Sequence, residues 1–162
     1  MAKCKWCGKS GLFLSISKNG LCNICEIIVV SEVVQYQRLI NESTVIIQQS
    51  SNTDTIVSRF DFIVDKLNSL SRFEKKEIPT IIPPPSIALE TMSPVERDNH
   101  IVYGLEKELG KLKLALTGLK TNTAKMNRVN KFLVRCQDYA KQMINPTLLE
   151  KIQEEAEHLI LD

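Results

Sequence analysis

Cys4-Lys5-Trp6-Cys7-Gly8 and Leu21-Cys22-Asn23-Ile24-Cys25 decide how this chain begins to fold. Each stretch holds two thiols at Cys-x2-Cys spacing, with fourteen residues between the pairs. A two-residue spacer lets both thiolates of a pair turn back onto one ion, and two pairs complete a tetrahedral shell of four sulfurs. Cys4, Cys7, Cys22 and Cys25 are therefore the expected ligands of a single structural Zn2+. A closed shell leaves no position for water or substrate, so the motif speaks for folding and binding and against metal-assisted catalysis. Iron in a rubredoxin-like site is the other metal that tetrahedral S4 suits.

Two disulfides, or a redox dithiol, are the rival uses of these cysteines. Met1-Ala2-Lys3-Cys4 opens the chain with no apolar segment, so no secretory signal is expected. Thiols of a cytoplasmic chain stay reduced, and paired Cys-x2-Cys there favours metal over disulfide. Two copies at finger spacing disfavour the dithiol.

The residues between the pairs read as a small β-hairpin. Gly8 follows Cys7 where a tight knuckle needs positive φ. Leu12-Phe13-Leu14-Ser15-Ile16-Ser17 reads as a short strand, and Lys18-Asn19-Gly20 carries the Asn-Gly turn signal. The segment after Cys25 reads as a helix, whose N-terminal dipole favours thiolate charge on the second pair. Knuckle, hairpin and helix-borne ligands over residues 3–35 resemble the treble-clef group of Cys4 zinc domains, across about a fifth of the chain. Cys-x2-Cys-Gly-Lys-x-Gly-Leu-Phe-Leu is also similar to zinc modules that open uncharacterised bacterial and prophage proteins and precede a helical body. That second likeness implies a host-modulating binder or adaptor and carries no activity.

Of the 162 residues, 43% are apolar and 25% charged, as in ordinary folded domains. Aromatics are only 6%, so Leu, Ile, Val and Ala must build the interior, which suits helices. No apolar run reaches membrane length. The net charge of +2 is unevenly spread: residues 1–25 carry Lys3, Lys5, Lys9 and Lys18 without an acid, while 145–162 are acidic.

The expected fold is mainly α: a zinc-bound hairpin, then a helical bundle with an antiparallel coiled-coil hairpin. Four segments are expected: a Cys4 finger running into the first helix (1–35), a helical pair (36–77), a Pro-rich linker (78–92), and a helical hairpin with a C-terminal helix (93–162). Val29, Val33, Tyr36, Ile40 and Ile47 keep helical spacing despite the β-branched run Ile27-Ile28-Val29-Val30. Ile56, Phe60, Ile63, Leu67 and Leu70 step 4-3-4-3. Pro79 and Pro83-Pro84-Pro85 interrupt the pattern as a stiff connector, with groove docking on a partner as the rival reading. Ser93-Pro94-Val95-Glu96 is a helix start with a capping box. Two seams follow, Val102-Leu105-Leu109-Leu112-Leu116-Leu119 and Met126-Val129-Leu133-Cys136-Ala140-Met143. The phase slips at Gly118 and Lys120–Thr123, giving either a turn between antiparallel helices or one long bent helix. Asn145-Pro146 opens a last helix. Such seams also suit a homodimer that pairs them between chains.

No enzyme constellation appears, and no catalytic residue is expected. His100 and His158 sit beside charged neighbours with no triad pairing, and Cys136 lies on an apolar seam as a buried thiol. The expected role is a non-catalytic protein-interaction module. The alternative is nucleic-acid binding through Lys125, Arg128, Lys131 and Arg135, a 3-3-4 stripe able to track phosphates; its plain counterpart is a solvated coiled-coil flank. The helix after the second cysteine pair opens with Glu26-Ile27-Ile28-Val29-Val30, too apolar and acidic to read base edges.

Overall fold

The computed structural model describes residues 2–80 and 94–161. The chain is mainly helical: α1 (Asn23–Gln49), α2 (Thr53–Glu74), α3 (Pro94–Thr117), α4 (Asn122–Ala140) and α5 (Glu150–Leu161), with a 3-10 turn at Pro146–Leu149. Among the described residues, two compact units form, 2–45 with 62–80 and 46–61 with 94–161. This division falls inside α1 and α2. Pro83-Pro84-Pro85 and Ser93, which carry most of the linker and the helix start, lie outside the described residues.

The expected β-hairpin does not form. Among the described residues there is no strand, only isolated antiparallel bridges pairing Lys3 with Ser10 and Ile16 with Cys22. The cause is local: Leu12-Phe13 form a turn closed by the Leu14 amide donating to the Gly11 carbonyl (3.3 Å). That turn leaves too short an extended stretch for a ladder. Gly8 and Gly20 do take positive φ, 75° and 76°, at the knuckle and the Asn-Gly turn.

In the first unit, α1 buries Cys25, Val29, Val33 and Ile40, and α2 buries Ile63, Leu67, Leu70 and Phe73. The two helices run antiparallel there, since Arg72 reaches Glu32 (2.8 Å) and Lys66 lies over the Tyr36 ring. At the end of α2 the Ile78 amide donates to Phe73 and the Glu77 amide to Glu74, a Schellman arrangement. Glu77 holds the left-handed position, φ 54°, which glycine usually takes.

The second unit is built on α3, α4 and α5. Leu105, Leu109 and Leu116 bury against Val129, Phe132 and Cys136 of α4 and Ile152 and Ala156 of α5, with Val57 of α2 in the same cluster. Asp98, buried on α3, accepts from the backbone amides of Ile144 (3.3 Å) and Asn145 (2.8 Å), fixing the turn that leads into α5. No helix among the described residues is long and apolar enough to cross a membrane.

Candidate metal centre

The four cysteines come together from two short stretches. Cys4 and Cys7 sit on the knuckle, where the Gly8 amide donates to the Cys4 carbonyl (2.9 Å) and the Cys4 amide to that of Lys9 (2.9 Å). Cys22 stands immediately before α1 and Cys25 lies in its first turn. All four Sγ atoms lie within 4.8 Å of one another, and Cys7 and Cys22 are 4.0 Å apart. A tetrahedron with metal–sulfur bonds of about 2.3 Å has edges of about 3.8 Å, so small shifts close this set on one ion. Cys4, Cys22 and Cys25 are buried, and Cys7 is exposed.

The electrostatics of the set call for a cation. Burial opposes charge on Cys4, yet backbone amides of Cys7, Cys22 and Trp6 hold its pKa down at about 6. The Cys22 amide lies 3.3 Å from the Cys4 sulfur. Burial, followed by the neighbouring thiols, pushes Cys25 up to about 12. Four sulfurs this close cannot all be anionic without positive charge among them. A bound metal cation supplies that charge and deprotonates its thiols outright. The residues present therefore fit a metal ion held by sulfur alone.

Two sets of contacts brace the centre. Glu26 of α1 accepts from the Ser17 hydroxyl (2.6 Å) and the Asn19 amide group (2.8 Å), tying the loop between the cysteine pairs to the helix. Trp6, between the first two ligands, stacks on Phe73 of α2 with ring centroids 5.2 Å apart. Lys76 lies 4.5 Å from the indole centroid and donates to the Trp6 carbonyl (3.0 Å), while Lys5 pairs with Glu77 (3.2 Å). The cation–π contacts and the stacking make α2 a wall of the metal centre. Sequence periodicity marks Phe73 only as apolar, and nothing in the sequence pairs it with Trp6.

The basic stripe is differently placed. Lys125, Arg128 and Lys131 stand along α4 with no ion-pair partner among the described residues, and Arg128 and Lys131 are exposed. Arg135 is engaged: it pairs with Glu108 (3.1 Å) and Asp54 (3.2 Å). Asp54 also accepts from the Tyr139 hydroxyl, and Glu108 accepts from the Thr53 amide (2.8 Å). Among the described residues Lys125, Arg128 and Lys131 thus have no ion pair, and Arg135 belongs to a cluster that joins α2, α3 and α4. Cys136 is buried in the apolar cluster, where burial raises its pKa to about 11. His100 packs on Phe60 with centroids 4.4 Å apart, and its Nδ1 lies 2.8 Å from the Glu96 carbonyl oxygen. No protein-family model matches this chain, and no curated protein or solved structure matches it.

Proposed function

We propose that this chain is a non-catalytic protein-interaction module, an adaptor whose N-terminal lobe is ordered by one structural Zn2+ in a treble-clef-like finger. The observation that carries this reading is a closed four-sulfur set directly beside an exposed aliphatic face of α1, made by Ile24, Ile27, Ile28 and Val34. A saturated sulfur shell orders backbone and offers no coordination site to a substrate. A large exposed apolar face on such a lobe marks a docking surface. Zinc is favoured over iron because two Cys-x2-Cys pairs set fourteen residues apart have the spacing of zinc fingers. The likeness of the opening to prophage-borne zinc modules points to a host protein as the partner.

Metal analysis and affinity capture test this reading together. One zinc per chain, lost in Cys22→Ser, with proteins retained by the loaded chain and released by chelation, is the expected result. A metal-free chain, or retention indifferent to chelation, overturns it. The nucleic-acid alternative predicts duplex or single-stranded DNA binding that weakens steeply with salt and disappears when Lys125, Arg128 and Lys131 become Ala.

A further inference from the structure

Between Glu108 and Asp138 the chain holds seven lysines or arginines and no acid. The stretch makes the end of α3, the turn and most of α4, all within the second unit. Two of these cations are used inside the fold: Lys113 pairs with Glu155, and Arg135 with Glu108 and Asp54. Among the described residues the others, Lys111, Lys120, Lys125, Arg128 and Lys131, have no ion-pair partner. Lys111 of α3 and Lys131 of α4, both exposed, line one open groove of about 310 Å³ with Leu112, Ala115 and Phe132. A single carboxylate stands at this groove, that of Glu108. It is held by Arg135 (3.1 Å) and by the Thr53 amide (2.8 Å), so it neutralises neither lysine.

We infer that this groove takes an acidic peptide segment carrying aliphatic side chains, whose carboxylates meet Lys111 and Lys131 while an aliphatic group covers Leu112, Ala115 and Phe132. Charge selects the occupant first. Unpaired ammonium groups from both helices, in a stretch without an acid, attract an anion and repel a cationic partner. The apolar lining selects next. A bare anion leaves that lining wet, whereas an aliphatic side chain between the carboxylates takes it out of water. Length agrees as well. Lys111 and Ala115, like Lys131 and Arg135, are four residues apart, so the groove spans about one helical turn, about 6 Å, the length of two residues of extended peptide. Single-stranded nucleic acid fits less well, because proteins that bind it combine cations with exposed rings on which bases stack. The one aromatic residue between Glu108 and Asp138 is Phe132, and it is 6% exposed. The groove belongs to the second unit and the aliphatic face of α1 to the first, so either can bind a partner without the other.

Amide chemical-shift mapping of the full zinc-loaded chain, titrated with the peptide acetyl-Glu-Glu-Leu-Leu-Glu-Glu-amide, tests the groove. Saturable shifts centred on Lys111, Ala115, Lys131 and Phe132, weakened by added salt, are the expected result. Lys111→Ala and Lys131→Ala, at exposed positions that leave the fold intact, should each weaken binding about 2–5-fold. Lys18→Ala, equally exposed but in the first unit, should leave it unchanged. Replacing both leucines of the peptide with serine should weaken binding about 10-fold or more. The absence of shifts at the groove, or an affinity indifferent to both lysines or to the leucines, overturns the inference. A short oligothymidylate that moves the same amides at lower concentration than the peptide overturns it in favour of nucleic acid.

Discussion

Gly104→Ala and Gly110→Ala make the same chemical change on α3, yet only the second should stabilise the chain. A Cβ at Gly104 would stand 2.8 Å from Thr53 Cγ2 and 2.9 Å from its Cα and Oγ1. Comfortable carbon–carbon contact is about 3.5–4.0 Å. Rotating the threonine side chain relieves two of those contacts but not the one to the backbone, so α2 and α3 must separate locally. Overpacking of this kind costs about 1–3 kcal/mol. A Cβ at Gly110 meets nothing within 4 Å. Both variants gain the helix propensity of alanine over glycine, about 0.8–1 kcal/mol. That gain cancels in the comparison, so the difference between the two variants isolates the steric contribution. Gly110→Ala should exceed the wild type by about 1 kcal/mol, and Gly104→Ala should lie about 1–3 kcal/mol below Gly110→Ala. For a chain of this size each kcal/mol moves the melting temperature by about 2–4 °C. Thermal and urea unfolding followed by far-ultraviolet circular dichroism reads both. Equal stability of the two variants would refute the close approach of Thr53 to α3.

Trp6, the single tryptophan, reports on the metal centre because it stacks on Phe73 beside Lys76 and Arg72. Chelation, or Cys22→Ser, should shift its emission to the red while most helicity remains, and unchanged emission after verified metal loss would refute the coupling. Asp54 titrates below the usual carboxylate range, chiefly through the Tyr139 hydrogen bond, which acts against burial, and then through Arg135. A folded-state pKa held below the unfolded value of about 3.9 stabilises above that value and is lost as pH falls through the folded one. Asp54→Asn should therefore be less stable than wild type at neutral pH and converge with it in acid; coincident curves at neutral pH would count against the cluster.

Much of the helical interior was legible because a helix face repeats in the sequence. Ile56, Phe60, Ile63, Leu67 and Leu70, stepping 4-3-4-3, are all buried. The clustering of Cys4, Cys7, Cys22 and Cys25 was legible for a similar reason, since a two-residue spacer is itself the geometry of a chelating pair. The Leu12–Ser17 strand misled because apolar residues there do not face a core: Leu12 and Phe13 turn outward. The run Ile27-Ile28-Val29-Val30 puts apolar side chains on more than one face of α1, but periodicity identifies only the buried stripe and says nothing of what an exposed one meets. Asp54 with Tyr139, and Asp98 with Asn145, were out of reach for another reason. Such pairs join distant chain positions, and no local spacing encodes them.

The second unit takes residues 46–61 from the middle of the chain and the rest from 94 onward. On a ribosome, therefore, Val57 emerges long before Ile101, Leu105 and Ile152, the residues of the cluster that covers it. The Thr53 amide likewise waits for Glu108. Through that interval the nascent polypeptide carries a greasy helix end with nothing to lie against, a natural handhold for a chaperone, and early termination would strand it in that state.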